Sequence, residues 1–113
     1  RLDPGGALVT QSSSPFFTRR VFWCINTTLA AVFDQTLGYN VALPSFGIWG
    51  FNLATLRAPI PDFWDITVPT KAIRSSSMAK ARVFDDDTGA IKTPVNSLFM
   101  PKLYQFYVED IRL

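Results

Sequence analysis

The stretch Leu43-Pro44-Ser45-Phe46-Gly47-Ile48-Trp49-Gly50-Phe51 joins two runs in which apolar residues alternate with small or polar ones. One run, Leu37 to Leu43, precedes the turn, and the other, Trp49 to Thr55, follows it. A period of two predicts β-strands, because successive side chains of a strand point to opposite faces. Two such runs separated by a few turn residues predict an antiparallel hairpin. The glycines at 47 and 50 allow a positive φ or a close backbone approach beside the aromatic residues.

A strand followed by a helix is predicted upstream of the hairpin. Ala7–Gln11 is a short, mostly apolar run between turn residues, which predicts a strand buried on both faces of a parallel or mixed sheet. Ser14 and Pro15 predict the N-cap and first residue of a helix that extends to about Phe33. Spacings of three and four define its core-facing stripe, which consists of Phe17, Val21, Cys24, Ile25, Leu29 and Val32.

The second half of the chain is less regular. Arg57 to Pro69 contains three prolines, so this segment is expected to cross the surface without regular structure. A short helix is predicted near Ser77, and an amphipathic helix is predicted from Pro101 to Ile111. We therefore predict a strand–helix–hairpin core over residues 1–58. Residues 59–113 are predicted to form a Pro-rich linker and an amphipathic tail packed on that core.

Composition narrows the classes of function. The chain has 113 residues, of which 48% are apolar and 14% aromatic, so it can form one domain, or part of one, with a sizeable core. A net charge of +2 without a basic run argues against nucleic acid as a partner. The absence of histidine excludes histidine bases and histidine metal ligands. The single cysteine excludes an intramolecular disulfide and, with no apolar run of about 18–20 residues to span a membrane, predicts a cytoplasmic protein.

Several residues could carry chemistry. Gln11 ends a predicted buried strand and precedes a Ser-rich helix start, where open α/β sheets bind ligands. Hydrogen bonding within that loop is an equally good interpretation. Trp49 and Phe51 could form a stacking platform, although packing in the core is favoured. Cys24 is expected to be a buried, unreactive thiol. The three aspartates from Asp85 to Asp87 are expected in a solvated turn, because adjacent carboxylates do not match a calcium-binding loop.

Three stretches resemble one known family. They are Leu2-Asp3-Pro4-Gly5-Gly6-Ala7-Leu8-Val9-Thr10-Gln11-Ser12, Ser14-Pro15-Phe16 and the hairpin turn quoted above. Together they resemble the C-terminal half of polyamine aminopropyltransferases, the spermidine synthase family. The tail is similar too, in Val95-Asn96-Ser97-Leu98 and Leu103-Tyr104-Gln105-Phe106-Tyr107. The turn is the most specific part of the likeness, and family members with such a turn include forms fused to membrane segments, so the parent protein could be membrane-attached.

This resemblance implies a fold, a reaction and a set of site residues. The implied fold is α/β, with this chain providing the last strands of a Rossmann-like, methyltransferase-type sheet. The implied reaction moves an aminopropyl group from decarboxylated S-adenosylmethionine to putrescine, with an acidic residue accepting a proton from the attacking amine. The resemblance implies that Gln11 and Phe46 contact the substrate. With the strand end and the turn forming the rim of a candidate pocket, the predicted substrate-binding residues are Gln11, Ser12, Pro44, Ser45, Phe46 and Trp49. Phe46 stands where many members have Tyr, and Ile48 stands where many have a polar residue, which predicts a less polar pocket.

The family's catalytic parts do not occur in this sequence. The Gly-rich nucleotide loop, the acidic ribose-binding residue and the catalytic Asp loop precede the matching segment in the family. The chain alone is therefore predicted to hold no cofactor, no metal and no catalytic residue. One interpretation is a part of an aminopropyltransferase completed by an N-terminal half in cis or in trans, with decarboxylated S-adenosylmethionine as co-substrate. The other is a stand-alone, non-catalytic module that self-associates into a homo-oligomer and at most binds a small molecule such as a polyamine.

Overall fold

The computed structural model describes residues 3, 5–45, 47–61, 67, 69, 75–97 and 101–111. The strands and helices follow in the order β1 (Ala7–Gln11), α1 (Arg19–Ala30), β2 (Gln35–Leu43), β3 (Gly47–Thr55), α2 (Ser75–Ala81) and α3 (Leu103–Ile111). The predicted α/β class and the predicted strand–helix–hairpin order are confirmed. The division into residues 1–58 and 59–113 stays a prediction.

The strands form one sheet in the order β1-β3-β2, with β3 antiparallel to both neighbours. Phe51 in the middle of β3 lies opposite Gln11 of β1 and Tyr39 of β2. β1 and β2 therefore point in the same direction, and α1 connects them. As a consequence, the carboxyl end of β1 lies at the same end of the sheet as the β2–β3 turn.

One face of the sheet, here called the covered face, carries small or polar residues and packs against α1: Gly38, Gly50, Asn52 and Ala54. Phe22 of α1 is fully buried against it. A Cβ atom at Gly50 would lie 2.5 Å from two atoms of the Phe22 ring and 3.0 Å from Cδ of Pro15. The close approach predicted for glycine 50 is thus confirmed. At glycine 47 the backbone has a φ of +83°, so the positive φ that these glycines allow occurs at this position.

The opposite face of the sheet, here called the open face, carries large apolar side chains: Val9, Leu37, Tyr39, Val41, Trp49, Phe51 and Leu53. Tyr39 and Phe51 stack across it with ring centroids 5.2 Å apart and planes 15° apart. Val9 is 54% exposed, and four of the five β1 residues are exposed. The prediction that β1 is buried on both faces is therefore wrong. Among the described elements, α1 packs on the other side of the sheet, so β1 receives cover from one side only.

The buried part of α1 differs from the predicted stripe. Its buried residues are Val21, Phe22, Trp23 and Cys24, whereas the predicted core residues Phe17 and Val32 are exposed. Four consecutive residues are buried because the second half of the chain covers a second side of the helix. Trp23 shows this, since its indole N–H donates to the carbonyl of Thr88 at 2.9 Å.

α3 is held against α1 by an ion-pair cluster. Arg20 contacts Asp110 at 2.7 Å and Glu109 at 3.0 Å, and its guanidinium lies 4.9 Å from the centroid of the Phe106 ring. The hydrogen bond and charge of Asp110 raise the pKa of Arg20. Asn96 caps the N-terminus of α3 from a position outside the helix, because its Oδ1 accepts the amide hydrogens of residues 102 and 103 at 2.9 Å each. α3 thus contacts the Arg20 side chain, which remains 39% exposed.

The start of α1 is also shifted from its predicted position. The regular helix begins at Arg19, four residues after the predicted first residue, and residues 15–18 form turns. Ser14 still acts as a cap, because its Oγ accepts the amide hydrogens of Phe16 and Phe17 at 3.2 Å each. None of the helices in the described part of the chain has the length and apolar character that crossing a membrane requires.

Candidate functional site

A shallow depression of about 210 Å³ opens at the carboxyl end of β1. Its lining comes from the end of β1, from the loop that leads to α1 and from the first residues of β3: Gln11, Ser13, Ser14, Ile48 and Trp49. Three separate parts of the chain thus meet here. Each of them includes residues from a stretch that carries the family resemblance described above.

The loop beneath the depression is fixed by main-chain hydrogen bonds to Gly50. The amide of Ser12 donates to the Gly50 carbonyl at 2.8 Å, and the Gly50 amide donates to the Ser13 carbonyl at 2.7 Å. Ser13 has a φ of +63°, a left-handed conformation that residues other than glycine rarely adopt. The Thr18 hydroxyl donates to Ser13 Oγ at 2.8 Å and so closes the loop. The lining serines are held in position by the fold before any ligand arrives.

Gln11 and Trp49 lie at the rim of the depression, as predicted. The Gln11 side chain is exposed at the last position of β1. Trp49 is 37% exposed and lies on the open face, so the interpretation of Trp49 as a core residue is wrong. Ile48 lies next to it and adds apolar surface. The rim therefore combines one amide with two apolar side chains.

The remaining predicted site residues lie elsewhere. Ser12 is fully buried, and its hydroxyl donates to the Thr10 carbonyl at 3.1 Å. Pro44 and Ser45 are exposed in the β2–β3 turn and do not line the depression. Phe46 lies outside the described residues. Contact of these residues with a ligand stays a prediction.

A series of side-chain hydrogen bonds, here called the buried polar chain, lies beneath the depression. The sequence analysis did not predict it. Asn26 Nδ2 of α1 donates to Asn52 Oδ1 of β3 at 2.8 Å. Asn52 Nδ2 in turn donates to Ser12 Oγ at 2.9 Å. Burying a polar atom is costly unless the atom is hydrogen-bonded. These hydrogen bonds pair such atoms between α1, β3 and the residue that follows β1. The one available signal was the polar residue at 52 between two small ones on the covered face.

The described residues of the lining are uncharged. Besides its two apolar side chains, the lining offers an amide and two serine hydroxyls, and none of its described residues is a carboxylate. Such groups can hydrogen-bond an amine or a hydroxyl, but they cannot serve as a general base near neutral pH. In the described part of the chain, no group of three or more His, Cys, Asp or Glu side chains could hold a metal ion. Binding and positioning are thus the chemistry that this lining can perform.

Cys24 and the triple aspartate do not contribute to the depression. Cys24 is fully buried, and its thiol donates to the Pro94 carbonyl at 3.3 Å. Burial raises the pKa of this thiol, which disfavours the reactive thiolate. Residues 86–88 form a turn with the aspartates exposed, which confirms the predicted solvated turn.

A second hollow, of about 650 Å³, lies between β2 and α2. Its lining is mainly apolar and includes Tyr39, Val41, Leu43, Met78 and Val83. Burial raises the pKa of the Tyr39 hydroxyl. This groove is larger than the depression, but the polar groups it offers, from Lys80 and Asp85 among others, do not converge as the amide and hydroxyls at β1 do.

Comparison with known proteins identifies relatives along nearly the whole chain. The chain is 34% identical over 107 residues to a polyamine aminopropyltransferase of Leptospira interrogans. This alignment covers 95% of the chain and 21% of that protein. Polyamine aminopropyltransferases of Oceanobacillus iheyensis and Mycobacterium tuberculosis are each 33% identical, over 110 and 113 residues. The chain spans about a fifth of the length of these relatives. No protein-family model matches it. The predicted resemblance to the C-terminal part of such an enzyme is confirmed.

Proposed function

We propose that this chain provides one side of the substrate site of an enzyme of the polyamine aminopropyltransferase type. The observation that carries the proposal is the depression at the carboxyl end of β1. It is lined by Gln11 and by Trp49, and Trp49 comes from the turn, which is the stretch that resembles these enzymes most specifically. The relatives support it as well, since at least 93% of the chain aligns with each of them and each is named for this activity.

The lining residues suit an aliphatic amine. The side-chain oxygen of Gln11 accepts a hydrogen bond from an amine N–H group at the rim. Trp49 and Ile48 pack against methylene groups, and the indole face of Trp49 also attracts an ammonium group. In this role the chain positions the acceptor amine.

The reaction needs a base that the described lining of the depression does not contain. In the proposed transfer, the amine nitrogen attacks the methylene carbon bonded to the sulfonium of decarboxylated S-adenosylmethionine. A C–N bond forms, the C–S bond breaks, and its electron pair stays on sulfur as methylthioadenosine leaves. The nitrogen then releases one proton to a base. Because none of the described lining residues is a carboxylate, we propose that this base and the nucleotide-binding groups come from a further segment or a separate chain. The chain by itself is then inactive.

A chimeric enzyme tests this proposal. The 107-residue aligned segment of the Leptospira protein is replaced by this chain, and formation of spermidine from putrescine is followed by mass spectrometry. We expect product from the chimera, none from this chain alone and none from the Leptospira protein lacking the segment. A chimera that folds cooperatively and binds decarboxylated S-adenosylmethionine but forms no product contradicts the proposal.

A further inference from the structure

Helix α1 begins beside the depression, and the residue before it does not cap it. Thr18 occupies the N-cap position, but its side chain makes no capping hydrogen bond. An N-cap side chain normally accepts the amide hydrogen of the second or third helical residue, which in α1 are Arg20 and Val21. The first turn also contains no acidic residue to complement the positive end of the helix dipole. The start of α1 therefore depends on groups from outside the helix.

The Thr18 side chain points back toward the depression instead. Its hydroxyl donates to Ser13 Oγ at 2.8 Å, and its oxygen accepts the amide hydrogen of Ser14 at 3.2 Å. Both serines line the depression. The left-handed φ of Ser13 is sustained only where the surrounding structure holds it. Thr18 therefore serves the lining serines rather than the amides of α1.

Asp110 of α3 provides the cap that Thr18 does not. Its Oδ2 accepts the amide hydrogen of Arg20 at 3.2 Å, which is the hydrogen bond that an N-cap side chain would make. Its Oδ1 accepts from Nε and Nη2 of the same arginine at 2.9 and 2.7 Å. The Asp110 side chain is 12% exposed, so water competes little for these oxygens. A carboxylate of the tail thus caps a helix that begins near the other end of the described chain.

We propose that Asp110 is a positioning residue for the depression. By capping α1 it leaves Thr18 free to hold Ser13 and Ser14, and it thereby couples the tail of the chain to the candidate site. Without Asp110, the Thr18 hydroxyl is expected to turn toward the amide of Arg20, as an N-cap threonine normally does, and to release Ser13. This coupling is independent of what the depression binds, whereas its effect on an amine substrate rests on the proposed function.

Nuclear magnetic resonance of the full chain tests the coupling without a substrate. Asp110→Asn keeps the size of the side chain but has one oxygen for two sets of donors. That oxygen is expected to stay with the charged guanidinium, so that α3 stays docked and the amide of Arg20 loses its acceptor. The amide resonances of Ser13 and Ser14 are then expected to shift, and hydrogen exchange of the Ser14 amide is expected to become roughly tenfold faster. Asp110→Ala, which removes both oxygens, is expected to shift the same resonances.

Two further variants separate this coupling from a general loss of stability. Glu109→Gln removes the neighbouring carboxylate, which contacts Nη1 of Arg20 at 3.0 Å, and is expected to leave the serine resonances unchanged. Thr18→Val removes the hydroxyl itself, and in that background Asp110→Asn is expected to cause no further shift. Near-ultraviolet circular dichroism checks that each variant folds. Unchanged serine resonances in the folded Asp110 variants, equal shifts in Glu109→Gln, or a full further shift in the Thr18→Val background overturns the proposal.

The chimeric enzyme tests the effect on the substrate. Asp110→Asn is expected to raise the apparent KM for putrescine roughly tenfold, by loosening the serines of the depression, and to leave the apparent KM for decarboxylated S-adenosylmethionine unchanged. Glu109→Gln is expected to leave both values unchanged. A chimera without activity contradicts the proposed function, and the resonance measurements still decide the coupling. An active chimera in which Asp110→Asn and Glu109→Gln have the same KM for putrescine overturns the positioning role of Asp110.

Discussion

The two faces of the sheet differ in the size and burial of the side chains that β3 contributes to them. On the covered face, β3 presents Gly50, Asn52 and Ala54, all buried, and α1 lies close enough for Phe22 to fill the space above glycine. On the open face, β3 presents the large apolar side chains of Trp49, Phe51 and Leu53, of which Trp49 is exposed and the other two are half-buried. A helix can approach the sheet this closely only where the strand carries small residues. The large side chains of β3 therefore lie on the opposite face. Among the described residues, the tighter packing thus lies on the covered face, and the open face and the end of β1 are more exposed.

The largest expected difference between the two faces is in the free energy of unfolding that is lost when a phenylalanine on each face is replaced by alanine. Phe22→Ala removes a fully buried ring from the covered face and is expected to lower the free energy of unfolding by about 3–5 kcal/mol. Phe51→Ala, the matched change on the half-buried open face, is expected to cost clearly less, although it removes the stack with Tyr39. Urea denaturation followed by circular dichroism measures both. Equal losses would mean that the two faces contribute equally to the core.

The next effect comes from the close approach at glycine. Gly50→Ala adds a Cβ that would overlap the Phe22 ring at 2.5 Å, and we expect a loss of about 1–3 kcal/mol from overpacking. Gly5→Ala serves as the control, because no atom lies within 4 Å of a Cβ placed there. The free energies of unfolding of both variants are compared with that of the unchanged chain. A stable Gly50→Ala protein would show that α1 can move away from β3 at little cost.

The buried polar chain on the covered face gives a third test. Asn52→Leu removes the acceptor of the Asn26 amide and the donor to the Ser12 hydroxyl oxygen, so we expect a loss of about 1–3 kcal/mol. Asn26→Leu is expected to cost less, because Asn26 is only partly buried. A double-mutant cycle of the two substitutions isolates their interaction. Additive losses in the cycle would contradict a direct contribution of this hydrogen bond.

The smallest effect is a dependence on alkaline pH. Burial raises the folded-state pKa of Cys24 above its ordinary value of 9.0. Its contribution to stability is therefore fully present below pH 9 and is lost as the pH rises toward the folded-state pKa. The unchanged chain is expected to lose stability as the pH rises above 9.0, and Cys24→Ala is expected to lose less over the same range. Identical slopes for both proteins would show that the thiol does not set this dependence.

Local patterns predicted the strands, and long-range contacts decided what they bury. The alternation around the 43–51 turn and the run at β1 located all three strands to within two residues. The stripe predicted for α1 failed at Phe17 and Val32, because both lie outside the helix Arg19–Ala30. It missed Trp23, because residues more than sixty positions away in sequence bury this side chain. β1 reads as a strand buried on both faces, yet the described elements cover only one of them. Such contacts leave no periodic signal in a single segment.

The depression was predicted in part. Gln11 followed from its place at the end of β1, and Trp49 followed from the turn. Ser14 was predicted only as a helix cap, and it both caps the turn before α1 and lines the depression. Ser12 was predicted as a substrate-binding residue, but the alternation of side chains along the strand turns it inward toward Asn52. The polar chain through Asn26 requires two elements to meet and is not visible in either one alone.

The most direct test of the central claim, that the end of β1 binds the acceptor amine, is the effect of Gln11→Ala on the chimeric enzyme. Loss of a hydrogen bond to a charged amine is worth about 1.5–3 kcal/mol, so the apparent KM for putrescine is expected to rise roughly 10- to 100-fold. Gln105→Ala removes an exposed amide from α3 and is expected to leave KM unchanged. An active chimera in which Gln11→Ala and Gln105→Ala have the same KM as the parent would contradict the assignment of this depression to substrate binding.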